Sequence, residues 1–458
     1  MLFLFIDKDF VYLCKDTIVG IMNKKRNRLI EKKICKYRRH RPNRMRRRYQ
    51  SYSHLCKSKK FFFPYSLNLL HKKLGVPLQY TSNKIEIPEF FSFYHNFDEC
   101  IVFFRILISL FIKGEGHIIL DFTKCNKVCI STLTLIQILY DEFLLSQERY
   151  RQICRNKNYR KIKVIPSYRD MKVKKFLHVL DYYAYDDFKD EDGEVLPLTL
   201  IKGKYRNSYQ ENTKAKAIQQ IVDFINSSFE PVNKCLSPNG LNTIQSLVSE
   251  ILNNAEDHSY KNCEWYVRGI AFSEELLGEK VVELNLTIIN FGDSMYEGFE
   301  KTKELNKLNY KKVDEKYCYH ANLFTSKLSF ERESLFMLYM LNEGISRLKY
   351  TDSSRGNGTM QFLQAFTTLG SFGIKDENFN SLLNVISGHT LLSCDNKVGP
   401  YMEDNHLKLS LNEEKKLSLL PNSQYLKHYR GFFPGTIIEC KIYLNEQFFD
   451  EILKNGEK

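Results

Sequence analysis

The sequence predicts an α/β protein of two successive modules behind a cationic arm, and three observations carry that prediction. Lys and Arg crowd into residues 24–60. Strand-like and helix-like patterns alternate from about 80 to 185. From 210 to 446, an amphipathic helix, alternating strands and a glycine-rich turn bring polar residues to the ends of apolar rows. At 458 residues, 43% hydrophobic and 14% aromatic, the chain can bury a core in each module. With 11 Pro and 21 Gly it is neither collagenous nor low-complexity. No uninterrupted apolar run approaches the roughly 20 residues of a membrane span. The opening MLFLFI is broken by Asp7, Lys8 and Asp9 and makes a poor signal peptide.

The charge is uneven. Residues 24–60 hold 17 Lys/Arg against the single acid Glu31, so this arm carries the whole excess behind the formal net charge of +14. The body is near neutral, and residues 1–23 receive no assignment. Like-charge blocks such as KKRNR and RMRRR repel themselves and stay extended until they meet a polyanion. Lys24–Lys60 therefore reads as a nucleic-acid contact made by phosphate neutralisation, the alternatives being a solvated tail, a stretch ahead of the true start codon, or an anionic membrane surface. The 12 cysteines are scattered without a CxxC pair, and Cys125/Cys129 lacks a second pair to complete a zinc site. That usage points to a reducing cytoplasm.

In the first module, 80–185, Ile101–Ile112 reads as an amphipathic helix and His117–Phe122 as a buried strand with Asp121 near its end. Ser131 or Thr132 caps a helix carrying Leu133, Ile136, Leu139 and Phe143 at helical spacing. Lys161–Pro166 is a second strand, and a helical stretch runs through Phe176, Val179 and Leu180. The acidic run Asp186–Glu194 marks a linker, 186–209. The segment ILDFTKCNKVCISTLTLIQIL resembles the STAS-like domain of anti-anti-sigma factors, which present a phosphorylatable serine after an aspartate at that helix entry. Here Cys129 and Ile130 precede Ser131, so Ser131 reads as a plain N-cap, and the resemblance implies a protein partner for this module.

In the second module, LNTIQSLVSEILNNAEDHS sets Leu241, Ile244, Leu247, Val248, Ile251, Leu252 and Ala255 on one helix face. Glu250, Asn254, Asp257 and His258 form a stripe at the half-buried edge of that face, where an unpaired carboxylate is costly. A strand, Val281–Phe291, puts Asn290 at the end of the row Val282, Leu284, Leu286 and Ile288. A buried primary amide must find partners. Gly292 follows. A last strand repeats the device, with Thr436 inward just after Gly435 and in line with Ile438, Cys440, Ile442 and Leu444. Between them, SSRGNGTMQFLQAF flanks Asn357 with Gly356 and Gly358 and enters a helix at Thr359, a turn whose free N–H groups suit a phosphate chain.

Taken together, these segments resemble the GHKL ATP-binding fold of gyrase B, heat-shock chaperones, MutL and histidine kinases, with the anti-sigma-factor kinases the nearest flavour. The resemblance implies one mixed sheet covered by helices and a nucleotide lid at 295–355 with its own helix near Ser334–Leu348. It implies ATP and Mg as cofactors: Asn254 holds the magnesium, Glu250 is the general base, and His258 completes that box. Asn290 and Gly292 read the base, Arg355, Gly356, Asn357, Gly358 and Thr359 hold phosphate, and Gly435 and Thr436 close the site. Asn290 stands where the family has aspartate, and its amide can accept from adenine or donate to a carbonyl. Many members dimerise. The leading expectation is an ATPase-driven switch; the alternatives are a serine/threonine kinase of anti-sigma type and a nucleic-acid-binding protein with a regulatory pocket.

Overall fold

A computed structural model describes residues 65–75, 82–113, 116–154, 160–166, 170–177, 195–204, 211–260, 263–276, 279–323, 330–342, 358–371, 381–395, 397–404 and 406–445. The N-terminal 1–23, the arm 24–60 and the acidic run 186–194 lie outside them. Among the described residues no helix is long and apolar enough to cross a membrane. The architecture is mixed α/β, with both parallel and antiparallel sheets.

The N-terminal part opens on helix α1 (Tyr65–Lys73), then alternates β1 (Lys84–Glu86), β2 (Phe90–Phe91), α2 (Phe93–Lys113), β3 (Ile118–Asp121), β4 (Lys127–Val128), α3 (Ile130–Cys154), β5 (Ile162–Ile165) and α4 (Met171–Leu177). Strands β1, β3 and β5 form a parallel sheet in the order β1-β3-β5, so α2 and α3 are the crossovers that parallel pairing requires. Helix α2 starts eight residues before its predicted Ile101, because Phe93, Phe97 and Cys100 extend its buried face. Helix α3 begins at Ile130. Ser131 and Thr132 thus lie in its first turn rather than at its cap, and every residue from Cys129 to Tyr140 is buried. A helix buried all round is covered on more than one side.

The cover comes from a five-stranded sheet. It comprises β6 (Val195–Lys204), β7 (Glu264–Leu276), β8 (Glu279–Phe291), β9 (Leu382–Asp395) and β12 (Leu426–Asn445), in the order β6-β7-β8-β12-β9. Every neighbouring pair is antiparallel, which corrects the expected mixed sheet: β7 and β8 form a hairpin, and β12 runs against both its neighbours. Strand β6 also corrects the linker 186–209, since 195–204 is the edge strand. Pro197 is tolerated there because an edge leaves one side of the ladder unpaired. A small ribbon, β10 (Tyr401–Glu403) with β11 (His406–Lys408), completes the strands.

Period-two alternation gives this sheet two buried faces. The front row Val282, Leu284, Leu286, Ile288, Ile438, Cys440, Ile442 and Leu444 joins the core built with helices α5 (Glu211–Ser227), α6 (Pro238–His258), α9 (Arg332–Asn342) and α10 (Gly358–Ser371). The back residues Tyr266, Ile270, Phe272, Ile289, Phe291, Phe433 and Ile437 join the core of α1, α2 and α3. Residues 63–458 are therefore one compact unit around a shared sheet. The two predicted modules are its two halves.

The expected lid, 295–355, holds α7 (Met295–Lys301), α8 (Lys307–Leu323) and α9 among its described residues. In α9 every side chain from Ser334 to Leu341 is buried, so this helix is core; the remainder of the expected helix, 343–348, lies outside the described residues.

Candidate functional site

Helix α6 is held at both ends. Pro238 occupies its first turn, where a missing N–H costs nothing, and the Ser237 hydroxyl accepts from the Gly240 N–H. Its apolar face, Ile244 to Ala255, packs on the front of the sheet, which leaves Glu250, Asn254, Asp257 and His258 half-buried at the edge.

A cavity of about 100 Å³ opens where α6, α7, α9 and the start of α10 meet β8, β9 and β12. Asn254, His258, Asn290, Thr359 and Thr436 all line it. Its walls are apolar: Ile251 and Ala255 from α6, Ile288, Val385 and Ile438 from the sheet, Met295 and Phe299 from α7, Met340 and Leu341 from α9. Ligand pockets more commonly span ~300–1,000 Å³, so this enclosed part suits one flat ring.

The floor is a single rung across four strands, Trp265–Asn290–Thr436–Ser387 in register. Ser387 is fully engaged: its hydroxyl donates to the Gly435 carbonyl at 2.7 Å and accepts from the Met295 N–H at 2.9 Å. Asn290 is not. Its side chain is 5% exposed, and its Nδ2 is buried without a hydrogen-bond partner. An orphaned buried donor costs about 1–3 kcal/mol, so an acceptor aimed at this atom would gain more than an ordinary hydrogen bond.

Two glycines let the backbones meet. Gly435 has φ +124°, and a Cβ there would overlap the Asn290 carbonyl oxygen. A Cβ at Gly292 would lie 2.5 Å from the His258 carbonyl oxygen, where Ser259 bridges to Gly292. Neither glycine lines the cavity; both close the ring of elements behind it.

At the far rim, the Asn254 Nδ2 donates to Thr359 Oγ1 at 3.3 Å, which ties α6 to the first turn of α10. This fixes the amide's orientation and leaves its carbonyl oxygen as the atom able to take a divalent cation. Glu250 stands one turn earlier on α6, half-buried and outside the enclosed lining. Gly358 is the first residue of α10. Arg355, Gly356 and Asn357 lie outside the described residues.

The sequence reading missed Asp293, which lines the cavity at 8% exposure. Its carboxylate accepts from the Tyr260 hydroxyl and pairs with Lys301 Nζ at 2.5 Å. Burial, then this hydrogen bond, pushes the Tyr260 phenol well up. The signal was present: Ser294-x-x-Glu297 is a capping box, and it starts α7 directly after Asp293. Compared with protein-family models, curated proteins and solved structures, the chain matches none.

Proposed function

We propose that the chain is a magnesium-dependent ATP-binding protein of the GHKL kind, taking the purine against Asn290 and Thr436 on the front of the five-stranded sheet. The observation that carries this reading is the unpartnered Asn290 Nδ2, buried in an apolar slot of ring size and in register with Thr436. An amide offers a donor and an acceptor side by side, the complement of the adenine edge formed by N1 and the exocyclic amine. The phosphates would leave the slot past Asn254 toward Thr359 and the first turn of α10, where helix N–H groups face an anion. Magnesium, when bound, would spread the phosphate charge, and the Asn254 carbonyl oxygen is the residue atom set to meet it.

Turnover is a further step of the same proposal, with Glu250 as the base that orients water. Phosphorylation of this chain's own Ser131 is the weaker reading. Ser131 is fully buried, and its hydroxyl is spent on Glu439. The nucleic-acid reading rests on residues 24–60, outside the described residues.

Calorimetric titration of the full-length chain with Mg·ATP and Mg·GTP tests the proposal. Saturable ATP binding is expected, weakened about tenfold by N254A through loss of one contact to a charged group. Absence of binding by either nucleotide overturns it. With γ-labelled ATP, the switch reading expects label in free phosphate, abolished by E250Q while binding persists; label in protein restores the kinase.

A further inference from the structure

A groove of about 610 Å³ runs along the outer edge of the parallel sheet, between β1 and α2. Strand β1 is the last strand on that side, and among the described residues no strand pairs with its outer edge. Five consecutive residues, 85–89, line the groove. A sheet face shows only alternate side chains, so an unbroken run of this kind is presented along an edge. The ladder shows which backbone groups point outward. The Asn83 carbonyl accepts from the Ile119 N–H, and the Ile87 N–H donates to the Asp121 carbonyl at 2.9 Å, so both residues face β3. Alternate residues turn to opposite sides of a strand, which points the N–H and C=O of Glu86 away from β3. Lys84 is turned the same way, but the Ser82 hydroxyl meets both of its backbone groups. Pro88 has no N–H and ends the edge.

The facing wall is Glu99, Val102, Phe103 and Ile106, which share one stripe of α2 at helical spacing. Val102 is 43% exposed and Ile106 half-buried, so this stripe overhangs the sheet edge. Ile85, Ile87 and Phe103 are buried and give the groove an apolar floor. The charge at its rim is one-sided. Glu86, Glu89 and Glu99 line the groove against a single cation, Lys124, which pairs with Glu86 at 2.9 Å. Among the described residues Glu89 meets the Asn126 amide at 2.7 Å and Glu99 meets the Asn96 amide. A neutral donor leaves a carboxylate's charge in place. Lys84, on the same strand, is engaged by Asp121 at 2.6 Å.

We propose that this groove takes an extended segment of a partner protein, added to β1 as a further strand, in which apolar residues alternate with Lys or Arg. The Glu86 backbone supplies the pairing. By the period of two, the segment's apolar residues share one side and lie on Val102, Phe103 and Ile106; its basic residues share the other and meet the Glu86 side chain, which stands opposite Ile85 and Ile87. Two features fix the occupant. An edge with outward backbone groups selects an extended chain over a helix, and a rim with carboxylates in excess selects a cationic one. The groove shares no lining residue with the front cavity, so this site is independent of nucleotide binding.

The probe is a dye-labelled hexapeptide of alternating valine and lysine, capped at both ends, titrated with the full-length chain and followed by fluorescence anisotropy. Saturable binding is expected. Serine in place of the peptide's lysines removes the charge match, and methylation of its backbone nitrogens removes the strand pairing; each should weaken binding about tenfold or more. V102K sets a cation on an exposed position of the α2 stripe and should weaken binding to the same degree. E89K combined with E99K, both at exposed rim positions, is the second variant, with the same expectation. Absence of binding overturns the proposal, as does binding that these variants leave unchanged or that the methylated peptide matches. Self-association of the chain that V102K abolishes, with no peptide bound, gives the groove to a second copy and overturns it as well.

Discussion

The two faces of the central sheet are built from alternate residues of the same strands, yet they follow opposite plans. On the front, successive rungs are apolar, such as Val267–Ile288–Ile438–Val385, and polarity enters at one end, in Trp265–Asn290–Thr436–Ser387. On the back, the end rung Tyr266–Ile289–Ile437–Ile386 is apolar and the interior one is polar: Arg268–Thr287–Glu439–Asn384. Polar residues in mid-strand are affordable only when the covering element answers them. Glu439 shows how. Its carboxylate meets the N-terminus of α3, where the first-turn N–H groups have no helical partner and the helix dipole favours negative charge. The front end rung keeps two donors unanswered, Asn290 Nδ2 in the cavity wall and Trp265 Nε1 in register beside it, whereas on the back Glu439 and Glu283 are answered by Ser131 and Lys172 of the N-terminal part of the chain. On the proposed reading the first arrangement suits a ligand that comes and goes, whereas the second joins two parts of the chain.

The sharpest way to break this comparison is to remove the junction. A fragment beginning at 205 loses β6 and α1 to α4, and exposes Tyr266, Phe272, Ile289, Phe291 and Ile437 together. That fragment is expected to aggregate on expression. A soluble, cooperatively unfolding product would show the front half to be a domain in its own right. Next in size is G435A. It forces a side chain into φ +124° against the Asn290 carbonyl, and a loss of several kcal/mol is expected in denaturant unfolding.

How much of this was legible follows from the same contrast. Helix α6 and the inward placement of Asn290 and Thr436 were readable because the front face follows simple periodicities, 3.6 and 2. Asn254 and His258 reached the cavity for that reason. The back face was opaque. Glu283, Asn285, Thr287 and Glu439 read as the solvent side of half-buried strands, and only the distant helix α3 makes them interior. Strand β6 was hidden by the acidic run before it and by Pro197. Helix α9 falls inside the lid that the resemblance implies at 295–355, although FMLYML offers no polar side to face water.

E439A tests the junction at a single position. It strands the α3 N–H group and the Ser131 hydroxyl in a buried setting, and a loss of ~2–4 kcal/mol is expected, with E439Q recovering more than half because an amide oxygen still accepts. If both variants unfold like the unmodified chain, Glu439 is not what joins the halves.

Glu142 sharpens the back-face account through pH. It sits on α3 and accepts from the Leu67 N–H at 2.7 Å at the start of α1; burial pushes its carboxyl up to about 7, against 4.5 for an ordinary glutamate. The folded state therefore binds a proton that the unfolded chain has released between about 4.5 and about 7, so stability falls as pH rises through that window. The upper bound is about 3 kcal/mol. E142Q keeps the acceptor and removes the charge. It is expected to unfold later than the unmodified chain at pH 8 and to match it near pH 4.5. Parallel stability curves across the window would refute that burial.

The smallest stability effect belongs to the front face, and it separates the two plans most cleanly. N290L replaces an amide whose Nδ2 has no partner with an apolar group of similar size, inside a wall that is already apolar. No donor or acceptor partner is left stranded by the change, so stability is expected to hold or to rise by up to ~1 kcal/mol. Nucleotide binding should disappear in the same variant. A residue retained for the fold cannot behave this way, because its loss would cost stability. A residue retained for a ligand must. A clear loss of stability in N290L, with nucleotide binding intact, would make the front rung structural like those behind it, and the distinction between the two faces would fail.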